Sequence, residues 1–243
     1  MKNYNPLSKE KLNEKLNLRI DKALEKKSAA EKPRDYLGVS TLSHECPRFI
    51  FLSQDNKQSF AGKTLRRFAL GHLEDDTTIQ WLKAAGFRVK AIKKDGSQYG
   101  FSILDGKIAG HVDGIITSGV MKLPYPLLFE HKIMKSTYYK KLVKEGLQLS
   151  NPSYYAQVQW YMHHSNSYYK EPLKQCLFVV KNTDTSELYF ELIKYDAYEM
   201  QQQIDKTSVV LKAKSHKELA PAALSAKHPP CCYCPHKLNC YGK

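Results

Sequence analysis

Apolar positions along this chain follow two rhythms, one of period two and one near 3.6, and the switches between them mark out the elements. Strand character falls on FRVKAIKK (87–94), YGFSIL (99–104), KIAGHVDGIIT (107–117) and LLFEHKIM (127–134), separated by Asp-Gly and Gly turns. Two further strands are expected at KQCLFVVK (174–181) and ELYFELIKY (187–195). Helical spacing predicts helices over about 62–85, ending near Gly86, and over about 135–146, 152–164 and 196–214. Residues 8–28, rich in Lys, Glu, Leu and Ala, predict an exposed helical arm that EKPRDY breaks. VSTLSHECPRFIFLSQ (39–54) predicts a short helix capped by Ser40 or Thr41, with Cys46 just before Pro47. No internal repeat or low-complexity block is present. The order of elements predicts one α/β domain built on a mixed sheet, residues 36–243, behind an N-terminal helical arm, residues 1–35.

The 243 residues suffice for one substantial core or two small ones. No apolar run approaches the ~20 residues of a membrane span. The start, MKNYNPLSKEKLNEKL, has no apolar segment of signal-peptide type, so an intracellular, cytoplasmic protein is expected. Lys and Arg number 38 against 24 Asp and Glu, a formal charge of +14. Such an excess suits a polyanion, gripped through phosphate contacts with release of counterions. The plainer alternative is a basic surface that serves solubility alone. An anionic membrane is disfavoured because no basic helix with bulky apolar anchors is evident.

The strand LLFEHKIM carries three polar residues in a row. Alternation places Glu130 and Lys132 on one face and His131 on the other, with Leu127, Phe129 and Ile133. A carboxylate and an ammonium on a core strand are costly unless they pair or bind something. Seventeen residues earlier, Asp113 in GHVDGII would stand beside Glu130 if the two strands form a hairpin. Two close carboxylates raise one another's pKa unless a cation joins them, and Mg²⁺ or a similar hard ion prefers oxygen ligands. Lys132 would then orient or deprotonate a water, or stabilise charge on a phosphate. A Gly-rich turn followed by an unrelated strand pair explains the same residues without chemistry. Gln157 and Tyr161, four apart in YYAQVQWYM, share a helix face. They suit a nucleic-acid backbone or the support of a carboxylate, and equally an ordinary helix–sheet contact. His72 falls on an apolar stripe with Leu65, Phe68, Ala69 and Ile79, the usual setting of a satisfied core histidine. Glu74 falls on the opposite face and Asp76 near the stripe.

In order, His72, Asp113, Glu130-x-Lys132 and Gln157-xxx-Tyr161 resemble the PD-(D/E)XK nucleases, in the branch around RecB/AddB-type nuclease domains and viral YqaJ/lambda-type exonucleases. The resemblance covers about residues 40–240. It implies a restriction-endonuclease-like core that hydrolyses phosphodiester bonds in DNA with Mg²⁺ or Mn²⁺. It assigns His72, Asp113, Glu130 and the backbone carbonyl of His131 to the metal, Lys132 to the attacking water, and Gln157 with Tyr161 to support of the site and of DNA. Two departures stand out: Val112 replaces the proline of the family name, and TSGVMKLPYP lengthens the hairpin between Asp113 and Glu130. DNA, single-stranded or with duplex ends, is the implied partner, in recombination, repair or phage DNA processing, with a recombinase or single-strand-binding protein as a further partner.

Four of the six cysteines crowd the C-terminus: Cys231, Cys232, Cys234 and Cys240. Without a secretion signal, that clustering favours metal over disulfides. Cys231, Cys234 and Cys240, with the early Cys46, resemble the iron–sulphur staple of AddB-type and CRISPR-adaptation nucleases. Four thiolates fit a [4Fe–4S] cluster or a structural Zn²⁺. Cys232 offers an alternative chelating pair with Cys234, and His228 and His236 keep zinc open. Reduced, unliganded thiols are the plain alternative. Cys176, inside an apolar strand, is expected to be an ordinary core residue. Against the nuclease stands a non-catalytic nucleic-acid-binding module with a metal-stabilised tail.

Overall fold

The long stretch KIAGHVDGIIT, which alternation predicts as one strand, is divided between two sheets, and that division shapes the molecule. The computed structural model describes residues 8–32, 34–54 and 59–242; the first seven residues of the expected arm, and Pro33, lie outside them. In chain order the elements are α1 (Lys9–Ala30), β1 (Leu37–Gly38), α2 (Val39–Leu42), α3 (Pro47–Leu52), α4 (Gly62–Ala84), β2 (Arg88–Lys90), β3 (Gly100–Ile103), β4 (Ile108–His111), β5 (Gly114–Ser118), β6 (Leu127–Met134), α5 (Ser136–Ser150), α6 (Pro152–His163), β7 (Gln175–Asn182), β8 (Leu188–Lys194), α7 (Ala197–Lys212) and α8 (Lys237–Tyr241). They fall into two units, Met1–Arg34 with Lys57–Glu74, and Asp35–Asn56 with Asp75–Lys243.

In the first unit, Ser8 caps α1 by accepting from the Lys11 N–H, and no residue of α1 is buried. Polar contacts rather than a core join α1 to the start of α4. Arg66 pairs with Asp21, and the Gly62 N–H donates to Glu25 at 2.9 Å. Glycine is required at 62 because a Cβ there would stand 2.4 Å from the Asp21 Cα.

The second unit holds both sheets. One is five-stranded, in the order β2-β5-β6-β7-β8, and the other three-stranded, β1-β4-β3. Strands β5 and β6 are antiparallel, β6 and β7 parallel, and β7 and β8 antiparallel. The parallel pair needs a crossover, which α5 and α6 supply. Central β6 has apolar residues on both faces. Leu128 and Met134 join a core with Leu142, Val158 and Phe178, while Leu127 and Phe129 join one with Ile79, Leu82 and Val179. Helices therefore cover both sides of a central mixed sheet, the α/β class expected from the sequence. Among the described residues no helix is long and apolar enough to cross a membrane.

Several boundaries differ from the sequence pattern. Only Arg88–Lys90 of FRVKAIKK pairs into the sheet, with an irregular register against β5. The helix expected in 39–54 is two helices, because Cys46 is extended and Pro47 opens α3. Gly38, not Ser40 or Thr41, precedes α2. Helix α5 runs on to Ser150 through a break at Gly146, whose φ of 74° suits glycine, and Glu191 binds the Leu147 N–H at 3.0 Å beyond it.

The three-stranded sheet depends on close backbone approach. Gly100 faces His111, and a Cβ on Gly100 would lie 2.2 Å from the Gly110 carbonyl oxygen. Gly100→Ala therefore forces two backbones apart. The expected cost is about 1–3 kcal/mol, or a melting temperature lower by roughly 2–4 °C per kcal/mol for a chain of this size. Thermal unfolding followed by circular dichroism checks this; an unchanged melting temperature would show that the β3–β4 hairpin carries no such constraint.

Candidate functional site

At Asp113 the chain leaves one sheet for the other. Strand β4 ends at His111, the Val112 N–H still donates to Tyr99 at 2.9 Å, and pairing with β6 starts only at Gly114 opposite Phe129. The next N–H along β6 on that side, from His131, thus has no backbone acceptor in β5. The Asp113 carboxylate takes it, at 2.9 Å. The departure of the chain leaves a gap in the ladder beside β6, where Asp113, Glu130, Lys132 and the His131 carbonyl meet.

Glu130 and Lys132 share a face, as alternation requires, and the Lys132 Nζ donates to Glu130 Oε1 at 2.5 Å and to the His131 carbonyl at 3.0 Å. The Lys132 ammonium also lies 5.6 Å from the centre of the Tyr154 ring. Glu130 Oε2 is buried with no hydrogen-bond partner. Burial, and then the neighbouring Asp113, push the Glu130 carboxyl up to about 8, with Lys132 opposing them. Burial also raises Asp113, against the pull of Lys132. For Lys132 burial works against the charge, yet Glu130 and Asp113 outweigh it and hold the ammonium well above its ordinary range.

Gln157 and Tyr161 come to the same place from α6. Both are buried, and the Gln157 Nε2 donates to the Tyr161 hydroxyl at 2.8 Å. Burial, then Glu130, keep the Tyr161 phenol protonated far above its usual range. Its ring fits because position 110 is glycine, where a Cβ would meet Tyr161 Cε1 at 2.8 Å.

The His131 side chain turns to the opposite face, also as expected, and both ring nitrogens have partners. Nδ1 stands 2.7 Å from Asp75 Oδ1 and Nε2 stands 3.2 Å from Thr78 Oγ1, both on α4. Asp75 acts on the gap, raising both Asp113 and Glu130 by its charge. The sequence pattern missed it. The apolar stripe drawn from Leu65 to Ile79 is out of phase, since the buried side chains of α4 are Thr78, Ile79 and Leu82 while Phe68 is exposed. One residue of phase is about 100° on a helix, which separates Asp76, placed near the stripe, from Asp75. His72 is likewise exposed, not in a core; it lies on the part of α4 that belongs to the first unit.

The other constellation is the C-terminal corner. Cys46 and Cys231 are buried, and Cys234 and Cys240 half-buried. Burial raises the Cys234 and Cys240 thiols, and Cys46 and Cys231 add to both shifts. Cys232 is not among the groups acting on them. His236, buried beside Phe49, engages Ser53 Oγ at 2.9 Å, and His44 Nδ1 accepts the Cys46 N–H at 3.0 Å. Among the described residues, no three His, Cys, Asp or Glu side chains are already arranged to hold a metal ion.

No family model matches the chain, and no curated protein matches its sequence. Among solved structures, the crystal structure of SSO0001 aligns with a TM-score of 0.49 at 17% identity, over 95% of this chain and 97% of that one. An alkaline exonuclease, LHK-Exo from Laribacter hongkongensis, aligns with a TM-score of 0.48 at 15% identity, over 73% of this chain and 87% of its own. The complex of LHK-Exo with dAMP gives 0.49 at 16% identity over the same shares.

The buried carboxyls make a prediction for protein held in a chelator. Between the ordinary carboxyl value of 4.5 and about 8 the folded chain binds Glu130's proton more tightly than the unfolded chain does. Stability is therefore fully present below 4.5 and declines as pH rises through that window. Glu130→Gln should flatten this decline. Melting temperatures of both proteins in chelator across the window provide the measurement, and parallel curves would show that Glu130 is not the group responsible.

Proposed function

We propose that the chain is a divalent-metal-dependent deoxyribonuclease whose reaction centre is the gap beside β6. The unpartnered oxygen of Glu130 carries the proposal. A buried carboxylate oxygen without a donor is costly, and the charge of Asp113 adds to the cost of ionising Glu130. The donors at hand, Asp113, Glu130 and the His131 carbonyl, are all oxygens, which suits Mg²⁺ or Mn²⁺. Asp75 is a further carboxylate on that strand's other flank. When bound, such an ion lowers the pKa of a water and stabilises charge on phosphoryl oxygens.

The chain's own groups do the rest. Lys132, held charged by its two carboxylates, presents an ammonium to a phosphate oxygen or a water; in this setting it acts as a donor and a positive charge rather than as a base. Gln157 and Tyr161 fix the floor of the gap, and Tyr154 shields the ammonium. The +14 charge supplies phosphate affinity without sequence preference. Asp113→Asn and Glu130→Gln should each abolish cleavage of end-labelled single-stranded and duplex DNA in Mg²⁺ or Mn²⁺, and Lys132→Ala should do so even at saturating metal. DNA binding should survive in all three and weaken with salt at a logarithmic slope of about −0.9 per neutralised phosphate on duplex. Near-normal cleavage by the Asp113 or Glu130 variant would remove the assignment. Binding without any cleavage by the parent would instead identify a non-catalytic nucleic-acid-binding module.

We infer, separately, that Cys46, Cys231, Cys234 and Cys240 hold a [4Fe–4S] cluster. The Cys234 and Cys240 thiols, raised by burial and then by neighbouring thiols, would be relieved by a cationic centre. Ser53 engages one ring nitrogen of His236 and the Cys46 N–H one of His44, and four thiolates suit a [4Fe–4S] cluster. The loop so closed is very long, and its closure should stabilise by a few kcal/mol. Protein purified without oxygen should be brown, and Cys46→Ala should be colourless and melt lower. Colourless parent protein containing zinc would replace the cluster with Zn²⁺. Parent protein holding neither, with Cys46→Ala melting normally, would remove the staple.

A further inference from the structure

The five-stranded sheet ends at β8, and the form of that edge points to a partner. Backbone bonds from Asn182 N–H to the Glu187 carbonyl and from Tyr195 N–H to the Lys174 carbonyl, both 2.9 Å, bracket the β7–β8 ladder. In an antiparallel ladder the bonded residues alternate. Residues 187, 189, 191, 193 and 195 thus turn their N–H and C=O toward β7, and Leu188, Phe190 and Leu192 turn theirs toward the open edge. The side chains divide in the same way. Glu191 lies on the α5 side, accepting from the Leu147 N–H at 3.0 Å and the Tyr189 hydroxyl at 2.9 Å. Leu188, Phe190 and Leu192 project to the other side and are 36%, 49% and 41% exposed. Trp81 is also exposed, with the Lys181 ammonium 5.1 Å from its ring centre; Lys181 pairs with Leu188.

Edge strands are ordinarily protected by proline, by a central lysine, or by a bulge. Strand β8 contains no proline, its register with β7 is regular, and its charges, Glu191 turned to α5 and Lys194 at its last position, leave Leu188, Phe190 and Leu192 on the other face. The sequence Leu-Tyr-Phe-Glu-Leu is moreover self-complementary in the antiparallel sense. About a two-fold axis at Phe190, Leu188 of one copy meets Leu192 of the other, Phe190 meets Phe190, and Tyr189 meets Glu191. No like charges face each other. Each of the three outward-facing positions gains both of its backbone bonds.

We propose that a second copy of this chain docks on β8, edge to edge and antiparallel, so that the two sheets become one. The two-fold axis runs perpendicular to the sheet, so both Glu130 gaps open on the same side of it. Five strand spacings separate them, about 24 Å. The proposal is independent of the chemistry at either gap.

Sedimentation of the full chain at micromolar concentrations should give twice the chain mass. Phe190→Lys and, independently, Leu192→Lys should give the single-chain mass, with native circular dichroism. Phe190→Cys should form a covalent dimer on mild oxidation, which the parent does not, because this register brings position 190 within about 5.5 Å of its own copy. Hydrogen exchange on the unaltered chain supplies a readout free of folding defects: the amides of Leu188, Phe190 and Leu192 should gain protection as concentration rises. A parent that sediments as a single chain, a dimer that persists in both lysine variants, or edge amides whose exchange ignores concentration would each overturn the proposal.

Discussion

The bond from the His131 N–H to the Asp113 carboxylate is the contact on which the rest of the candidate site depends. A strand that pairs along its whole length has no room beside it for anything but its neighbour. Here β5 begins one residue late, at Gly114, because the preceding residues belong to the other sheet. A side chain then takes over from the backbone as acceptor. The ladder loses no satisfied group, yet a gap opens where an ordinary sheet would be closed. The three-stranded sheet, with its close Gly100–Gly110 approach, fixes where β4 must end, and so fixes the carboxylate.

What fills the gap is a set of charges that do not balance internally. Lys132 is the ammonium against Glu130 and Asp113, with Asp75 adding to the negative side through space. Burial raises both carboxyls, and one oxygen of Glu130 goes without a partner. A structural ion pair would be expected to satisfy both oxygens of a sealed carboxylate. This one is instead satisfied on its lysine side, while its other oxygen is buried with no hydrogen-bond partner. His131 adds rigidity from the opposite face. With both ring nitrogens engaged by α4, the strand cannot rotate or slip without breaking those contacts.

Much of this was legible in the sequence, and the exceptions have definite causes. Strand alternation correctly placed Glu130 with Lys132 and His131 on the other face, because period two leaves no ambiguity within a strand. The Gln157–Tyr161 pair followed from helical spacing in the same way. The division of KIAGHVDGIIT was not legible, since both halves are apolar and nothing local marks a change of sheet; the glycines at 110 and 114 read as turn residues rather than as a switch. Asp75 was missed because the stripe drawn from Leu65 to Ile79 is rotated from the buried side chains Thr78, Ile79 and Leu82, which placed Asp76 rather than Asp75 near it.

The C-terminal corner is tied to the region around Cys46 by hydrogen bonds between groups distant in sequence. Arg48, two residues after Cys46, donates to the Leu219 carbonyl, and Ser53 at the end of α3 engages His236. Lys206 on α7 donates to the His44 carbonyl at 2.9 Å, just before Cys46. Burial lowers this lysine to about 8, and Glu199 and Glu45 pull against the shift. These contacts cross intervals of more than 150 residues, yet none involves a thiol. The chain therefore brings its two ends together by hydrogen bonds before any sulphur ligand is needed. The fold itself thus spans the long loop, while a metal centre would still have to draw its donors together, since among the described residues no three of them are arranged to hold an ion.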